Sequence, residues 1–388
     1  MMKKKLLFTI DSLGCGGAEK SLVSLLPLLN RNKYEIHLWV LNRGAEFESL
    51  LPDNVMIEPE PIYGPFDRMK MILAQLYYSL SIRIKRILGK HEHGAETYWK
   101  CVGWAYKVPE RQYDVAIAYQ QGVPTYLVAT KINSRKKIAW INVNICNAGY
   151  NPEFNSKFYY KYNALVPVST NLETILKERY PQFINKYFCI YDILNPSLII
   201  QQSLEPYKEQ KQFGNNFLLV TTGRLAVQKN YKLAVKAAKI LRDKGYDFKW
   251  LFIGDGEERT NIEALIYEYE LQDKVLLLGM KTNPYPYMAR CDVYVQTSSF
   301  EGFGLTVAEA KILGRPVVST NFDVVHDQLK HEENGLIAEM TPESVADNII
   351  RMITDEELHD HIVANVSKER NMTYITEVRK VESLLDAD

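Results

Sequence analysis

Two glutamates flank a pair of glycines in Glu301-Gly302-Phe303-Gly304-Leu305-Thr306-Val307-Ala308-Glu309. The stretch leaves an apolar run, Val293-Tyr294-Val295, and enters a helix-forming segment, so it reads as a strand, a glycine loop and a helix start. Glycines let backbone approach a ligand closely, and the N–H groups and positive dipole at a helix start suit a phosphate. If such a loop wraps a sugar nucleotide, one acid faces the sugar and the other the ribose hydroxyls. Arg224 and Lys229 follow a second apolar run, Phe217 to Thr221, and bring two cations to the same end of the sheet. Cations aimed there stabilise a departing diphosphate electrostatically without a metal. Taken one at a time, the glycines could simply make a turn and the charges could simply be solvated.

Further motifs stand in order along the chain: Gly14-Cys15-Gly16-Gly17-Ala18-Glu19, Asn195-Pro196, Gly223-Arg224-Leu225 with Gln228-Lys229-Asn230, Gly254-Asp255-Gly256, Gly314-Arg315-Pro316 and Asn334-Gly335-Leu336. Together with the Glu301 to Glu309 stretch, the set resembles the signature of the family 4 retaining glycosyltransferases (group 1, GT-B fold). The likeness is dense from Phe217 to Ala338 and thin from Asn54 to Lys136. It implies two doubly wound, Rossmann-like parallel-sheet domains facing across a cleft. It also implies transfer, with retention, of a hexosyl unit from a UDP-linked sugar to a saccharide acceptor, lipid-linked, in surface polysaccharide, capsule or lipopolysaccharide synthesis. Carried over residue by residue, Glu301, Arg224 and Lys229 are catalytic. Gly302, Phe303, Gly304, Leu305, Glu309 and Gly254 bind the donor, Glu309 through the ribose. Gly16, Gly17 and Asn142 form the acceptor and diphosphate side, and the resemblance implies that the position of Asn142 touches the donor sugar. Family members commonly carry a histidine where this chain has Asn142, and an amide can hydrogen-bond but cannot become charged.

The elements that must position these residues follow from the apolar pattern. Lys5–Ile10, Glu35–Leu41, Val115–Tyr119, Lys137–Val143 and Leu165–Ser169 read as strands, and Glu19–Asn30 as a helix bent at Pro27. Asn195-Pro196 and the polar stretch Gln201–Asn216 read as a linker. Strands then alternate with helices again: Phe217–Thr221, Tyr231–Lys244, Lys249–Ile253, Glu257–Tyr269, Val275–Leu278 and Val293–Val295. That alternation predicts a parallel sheet with ligands beyond the carboxyl ends of its strands. The domains expected are 1–197 and 198–370, with a terminal helix, about 371–388, crossing back to the first.

A chain of 388 residues, 46% hydrophobic and 24% charged, has the size and composition of two soluble domains. The formal net charge is zero, yet Lys and Arg outnumber Asp and Glu before residue 198 and the reverse holds after it. A basic first half suits an anionic partner such as a membrane face. No nucleic-acid motif or dense basic tract accompanies it, so no nucleic-acid partner is expected. Five cysteines without a Cys-x-x-Cys pair point to neither a disulfide framework nor a zinc site, and no metal or other cofactor is expected. The Gly-x-Gly-x-x-Gly spacing of a dehydrogenase is missing from the first glycine loop. Met69, Ile72, Leu73, Leu76, Leu80, Ile84, Ile87 and Leu88 fall on one arc of a helix, with Arg68, Lys70, Lys85, Arg86 and Lys90 beside it and Arg83 within it. The stretch 68–90 is therefore expected to bind an anionic membrane surface, with the protein peripheral on the inner, cytoplasmic face of the cell membrane. A soluble-glycoside transferase and a non-catalytic nucleotide-sugar-binding regulatory subunit are the competing readings.

Overall fold

Among the described residues twelve short runs, most of them apolar, become strands, six in each half of the chain. The computed structural model describes residues 3–14, 16–59, 65–89, 92–107, 111–145, 148–206, 216–369 and 373–387. It divides into two units, Met1–Ile193 with Glu377–Asp388, and Leu194–Thr376.

The first unit holds β1 (Lys4–Ser12), β2 (Tyr34–Asn42), β3 (Val55–Ile57), β4 (Gln112–Ala118), β5 (Asn133–Ile141) and β6 (Ala164–Pro167). They form one parallel sheet in the order β3-β2-β1-β4-β5-β6. The second unit holds β7 (Phe217–Thr222), β8 (Phe248–Ile253), β9 (Val275–Gly279), β10 (Val293–Gln296), β11 (Val317–Thr320) and β12 (Leu336–Ala338). Their order is β12-β11-β10-β7-β8-β9, again all parallel. Each sheet is doubly wound and reverses its strand order once, between β1 and β4 and between β7 and β10. Such a reversal opens a crevice at the carboxyl ends of the strands.

The continuous apolar runs have a simple cause. Parallel strands are covered by helices on both faces, so both sets of alternate residues need apolar partners. In the second sheet Leu219, Trp250, Phe252, Val293 and Val295 pack to one face. Leu218, Val220, Leu251, Ile253 and Tyr294 pack to the other.

Three expectations change. The first helix is Gly17–Leu25, followed by a single tight turn, Leu26–Leu28, because Pro27 has no N–H to continue the ladder. The segment from Pro196 to Ser203 is a helix rather than linker, with Asn195 Oδ1 accepting from Leu198 N–H at 3.2 Å and Pro196 in the first turn, where its missing donor is harmless. Within the rest of that expected linker, residues 207–215 lie outside those described. The strands β3, β11 and β12 are three or four residues long, too short to show a period.

The poorly legible region of the first half contributes a 23-residue helix, Pro65–Ile87. It docks on the helix Gly94–Val102 through a narrow seam, with Ala74 buried and Met71 and Tyr78 packed beside it. Lys85 ties the seam, pairing with Glu92 and donating to Thr97 Oγ1 at 2.9 Å. The whole apolar arc anticipated from the sequence points away from this seam: Leu76 is 61% exposed and Ile87 84%, and Met69, Ile72, Leu73, Leu80, Ile84 and Leu88 are exposed too. Residue 90 lies outside the described residues. Among these residues no helix is long and apolar enough to cross a membrane.

The last helix, Thr373–Asp386, belongs to the first unit from Glu377 onward. Its carbonyl end is met by cations from two strands: Lys4 Nζ donates to Leu385 O at 2.9 Å, and Lys136 Nζ to Leu384 O and Ala387 O at 2.8 and 2.7 Å. Positive charge at a helix C-terminus is favourable. Tyr34 OH donates to Asp386 Oδ1 at 2.8 Å, and Val381 and Leu385 are buried. Leu385→Ala is expected to lower the first unit's unfolding free energy by about 2–4 kcal/mol. Hydrogen exchange of the β1 amides checks this, and unchanged protection would show that the helix is not part of that unit's cooperative core.

Candidate functional site

The second sheet's strand reversal brings the loops after β7 and β10 side by side. Ser299 N–H donates to Gln228 O at 2.8 Å, and Thr297 Oγ1 to Lys229 O at 3.1 Å. Three side chains then converge on one oxygen, Glu301 Oε1: Lys229 Nζ at 2.6 Å, Gln296 Nε2 at 2.9 Å and Ser298 Oγ at 2.5 Å. Gln228 Nε2 donates to Phe300 O at 2.8 Å and lies 3.4 Å from Glu301 Oε2. The pair Lys229–Glu301 is mostly buried, and an ion pair in that setting needs its remaining lone pairs satisfied, which Gln296 and Ser298 do. Gln296 is itself oriented, since its Oε1 accepts from Tyr294 OH at 2.9 Å and Thr306 Oγ1 at 3.0 Å. Arg224 sits beside this cluster in sequence, exposed and, among the described residues, without a side-chain partner.

The loop ends at Gly304, whose φ of +87° is the left-handed conformation that favours glycine. A side chain there would also press on Phe322 and Gln328. Gln328 donates to the carbonyls of Phe303 and Gly304 and so pins the turn. The helix Leu305–Ile312 starts at once, with its first N–H groups at the strand reversal. Gly302 is half-buried and Phe303 buried.

Glu309 is fully buried and its Oε1 accepts from Tyr285 OH at 3.0 Å. Burial, and then the carboxylate itself, hold the Tyr285 phenol well above its ordinary range, so it remains a donor. Gln228 stands in the Gln228-Lys229-Asn230 motif, whereas Tyr285 and Gln296 were not singled out from the sequence: Gln296 looked like an ordinary polar residue at a strand end, and Tyr285 lies 24 residues from its partner.

Gly254 is held to glycine by its backbone. Its φ is +151°, and a Cβ would lie 1.9 Å from Gly223 O. The loops after β7 and β8 therefore pack backbone on backbone, with Leu225 N–H donating to Asp255 O at 3.0 Å, which sets the exit direction of the Arg224 to Lys229 loop.

In the first unit, Gly16 caps the helix Gly17–Leu25, and the Glu19 carboxylate folds back over it, 2.1 Å from where a Gly16 Cβ would stand. This helix start thus carries its own anion. Asn142 follows β5, and its backbone N–H donates to Gln121 Oε1 at 3.0 Å. The structure brings Glu301 and Lys229 into contact and places Gln296 and Ser298 with them. Gly16, Gly17 and Asn142 belong to the other unit.

Gly254→Ala is expected to cost about 1–3 kcal/mol or more through backbone strain and overlap. It should lower the second unit's melting temperature, and an unchanged melt would refute the close-packing explanation.

Comparison with known proteins agrees with this geometry. Residues 205–369 match the family model described as glycosyl transferases group 1. The N-acetylgalactosamine-N,N'-diacetylbacillosaminyl-diphospho-undecaprenol 4-alpha-N-acetylgalactosaminyltransferase of Campylobacter jejuni is 28% identical over 358 residues, 92% of each chain. The capsular polysaccharide biosynthesis glycosyltransferase CapM of Staphylococcus aureus is 31% identical over 163 residues, 42% of this chain and 43% of that one. Among solved structures, Anabaena Alr3699/HepE in complex with UDP and glucose has a TM-score of 0.75 at 18% identity, covering 98% of this chain and 99% of that chain. At that identity the likeness speaks to the fold, GT-B.

Proposed function

We propose, from the premise that this chain belongs to the group 1 glycosyltransferases, that it moves a hexosyl unit from a UDP-linked sugar to a saccharide carried on a lipid diphosphate. The product is a surface polysaccharide or its lipid-linked precursor, and the transfer proceeds with retention and without a metal. The observation that carries this reading is the convergence of Lys229, Gln296 and Ser298 on Glu301 at the strand reversal, beside Arg224 and a helix start. Support for the substrates comes from the relatives: the Campylobacter protein's name specifies a diphospho-undecaprenol-linked saccharide, the Staphylococcus protein's a capsular polysaccharide, and the Anabaena structure holds UDP and glucose.

On this reading an incoming diphosphate competes with Glu301 for Lys229. Lys229 and Arg224 neutralise the leaving group, and the N–H groups at Leu305 add a fixed positive end. Glu301, still held by Gln296 and Ser298, is left to face the sugar as positive charge develops at its reacting carbon. Glu309 takes the ribose hydroxyls once uncovered. Lys229→Ala and Arg224→Ala are each expected to cost about 2–4 kcal/mol of transition-state stabilisation with the fold intact. The assay is a panel of nucleotide sugars scored for turnover, with EDTA leaving the rate unchanged. Near wild-type turnover in a folded double variant, or loss in EDTA restored by magnesium, would overturn the assignment.

The exposed helix Pro65–Ile87 favours a membrane-borne acceptor over a soluble one. Eight large apolar side chains in water are costly unless something covers them. Arg68, Arg83 and Arg86 are exposed on the same helix, and cations flanking an apolar face suit an anionic bilayer. Lys85 is engaged at the docking seam instead. We therefore place the protein on the inner membrane face. Replacing Arg68, Arg83 and Arg86 with glutamine should reduce sedimentation with phosphatidylglycerol vesicles at low salt, while UDP affinity stays the same. Absence of vesicle binding by the wild-type chain would return the soluble-acceptor reading to the front.

A further inference from the structure

The ring of Tyr294 is wholly buried in an apolar layer with Leu218, Val220, Leu251 and Ile253, and its hydroxyl meets Thr222 and Gln296 at the carboxyl ends of β7 and β10. The bonds there fix the order of the protons. Paired with Lys229, Glu301 is a carboxylate and can only accept, so Ser298 Oγ at 2.5 Å donates to it and in turn accepts from Gln296 Nε2 at 2.6 Å. Nε2 gives its other proton to Glu301 Oε1 at 2.9 Å. The amide oxygen of Gln296 therefore faces the Tyr294 hydroxyl at 2.9 Å and the Thr306 hydroxyl at 3.0 Å, and both must donate to it. With its one proton spent on Gln296, the phenol is left to accept from Thr222, whose Oγ1 stands 3.1 Å away and whose N–H stands 3.4 Å away. One line of donation thus runs from Thr222 through Tyr294 and Gln296 to Glu301, and successive hydrogen bonds of this kind strengthen one another.

The two hydroxyls on the Gln296 oxygen differ in what else they can do. Thr306 is half-buried in the first turn of the helix Leu305–Ile312, at the end where the diphosphate is proposed to lie, and its proton can turn to a phosphate oxygen. Its hydroxyl also lies against the Tyr294 phenol. Tyr294 is fully buried and has no such alternative. Burial holds the phenol above its ordinary range, so it keeps its proton through neutral pH.

We propose that Tyr294 is a positioning residue for the transfer: its phenol holds the Gln296 amide, and through it the Glu301 carboxylate, once Lys229 and Thr306 have turned to the diphosphate. The inference rests on the transferase reading and deepens it by naming a residue that acts without touching substrate. An amide that loses both donors on its oxygen is free to turn over, and its oxygen would then face the carboxylate and push it from the sugar. A catalytic group misplaced by about 1 Å loses on the order of a hundredfold in rate. A phenylalanine would occupy the same apolar layer, so packing alone does not call for the hydroxyl.

A panel of UDP-sugars, scored by UDP release from the full chain, first identifies the donor that the wild-type protein turns over. With that sugar, Tyr294→Phe should lower kcat tenfold or more while KM and the Kd of UDP stay within twofold, because the nucleotide's own contacts are untouched. Gln296→Met should lose at least as much, and the two changes together no more than Gln296→Met alone, since both act through one amide. A phenol that only stabilised the sheet would lower the melting temperature and leave kcat as it was. A folded Tyr294→Phe variant with kcat within twofold of wild type overturns the inference. So does a loss confined to KM or UDP affinity, which would make the phenol part of the nucleotide seat, and so do losses in the two variants that simply multiply. Should Tyr294→Phe unfold, near wild-type turnover by folded Gln296→Met overturns it equally. A wild-type chain that neither binds UDP nor turns over any UDP-sugar overturns the transferase reading, and this inference with it.

Discussion

The strand reversal of the second unit is built around the contact between Lys229 and Glu301. It joins the loops on either side of the strand reversal, which no crossover connection holds together, because the chain leaves β7 toward one face of the sheet and β10 toward the other. Opposite charges in a partly dry crevice hold each other strongly and are also ready to be exchanged for a ligand's charges. Gln296 and Ser298 keep the carboxylate aimed whichever partner the lysine takes. The rest of the unit serves this contact. Gln328 pins the turn after it, and the Gly223–Gly254 close approach fixes the direction from which the lysine comes.

Both sheets have the same strand order, yet their reversals carry different chemistry. The first gathers Glu19 and Asp192 with Asn142, Gln120 and Gln121; the second sets Lys229 against Glu301. The first runs against the net charge of its half, for the basic half gathers two carboxyls at its crevice. Net charge describes the long-range field and the solvated surface. The few groups at a crevice answer to their ligand instead, and the same architecture accepts either kind.

The helix Pro65–Ile87 makes a related point about apolar residues. Its docking face is a seam around Ala74, and its broad apolar arc is turned outward. A small residue at the seam lets the two helices approach closely, and the large side chains then have nowhere inside the unit to go. An arc of this kind in water is stabilised by whatever covers it.

Read from its amino acids alone, the chain shows two doubly wound halves, because apolar runs that alternate with amphipathic helices announce their elements locally. Family resemblance in the neighbouring sequence brings Glu301, Lys229 and Arg224 forward, and the structure sets the first two in contact. The amino-acid pattern does not show β3, β11 or β12, although β6 and β10, no longer than β11, are announced by their apolar runs, nor the helix from Pro196, whose polar continuation looks like linker. Tyr285 beneath Glu309 and Asp192 facing Asn142 were equally hidden, as each pair joins residues 24 or more positions apart. The direction of the apolar arc between Met69 and Leu88 was decided by tertiary structure as well. Helical periodicity records which side chains share a face, and only the packing of Ala74 against its neighbours determines which face is covered by protein and which is left open.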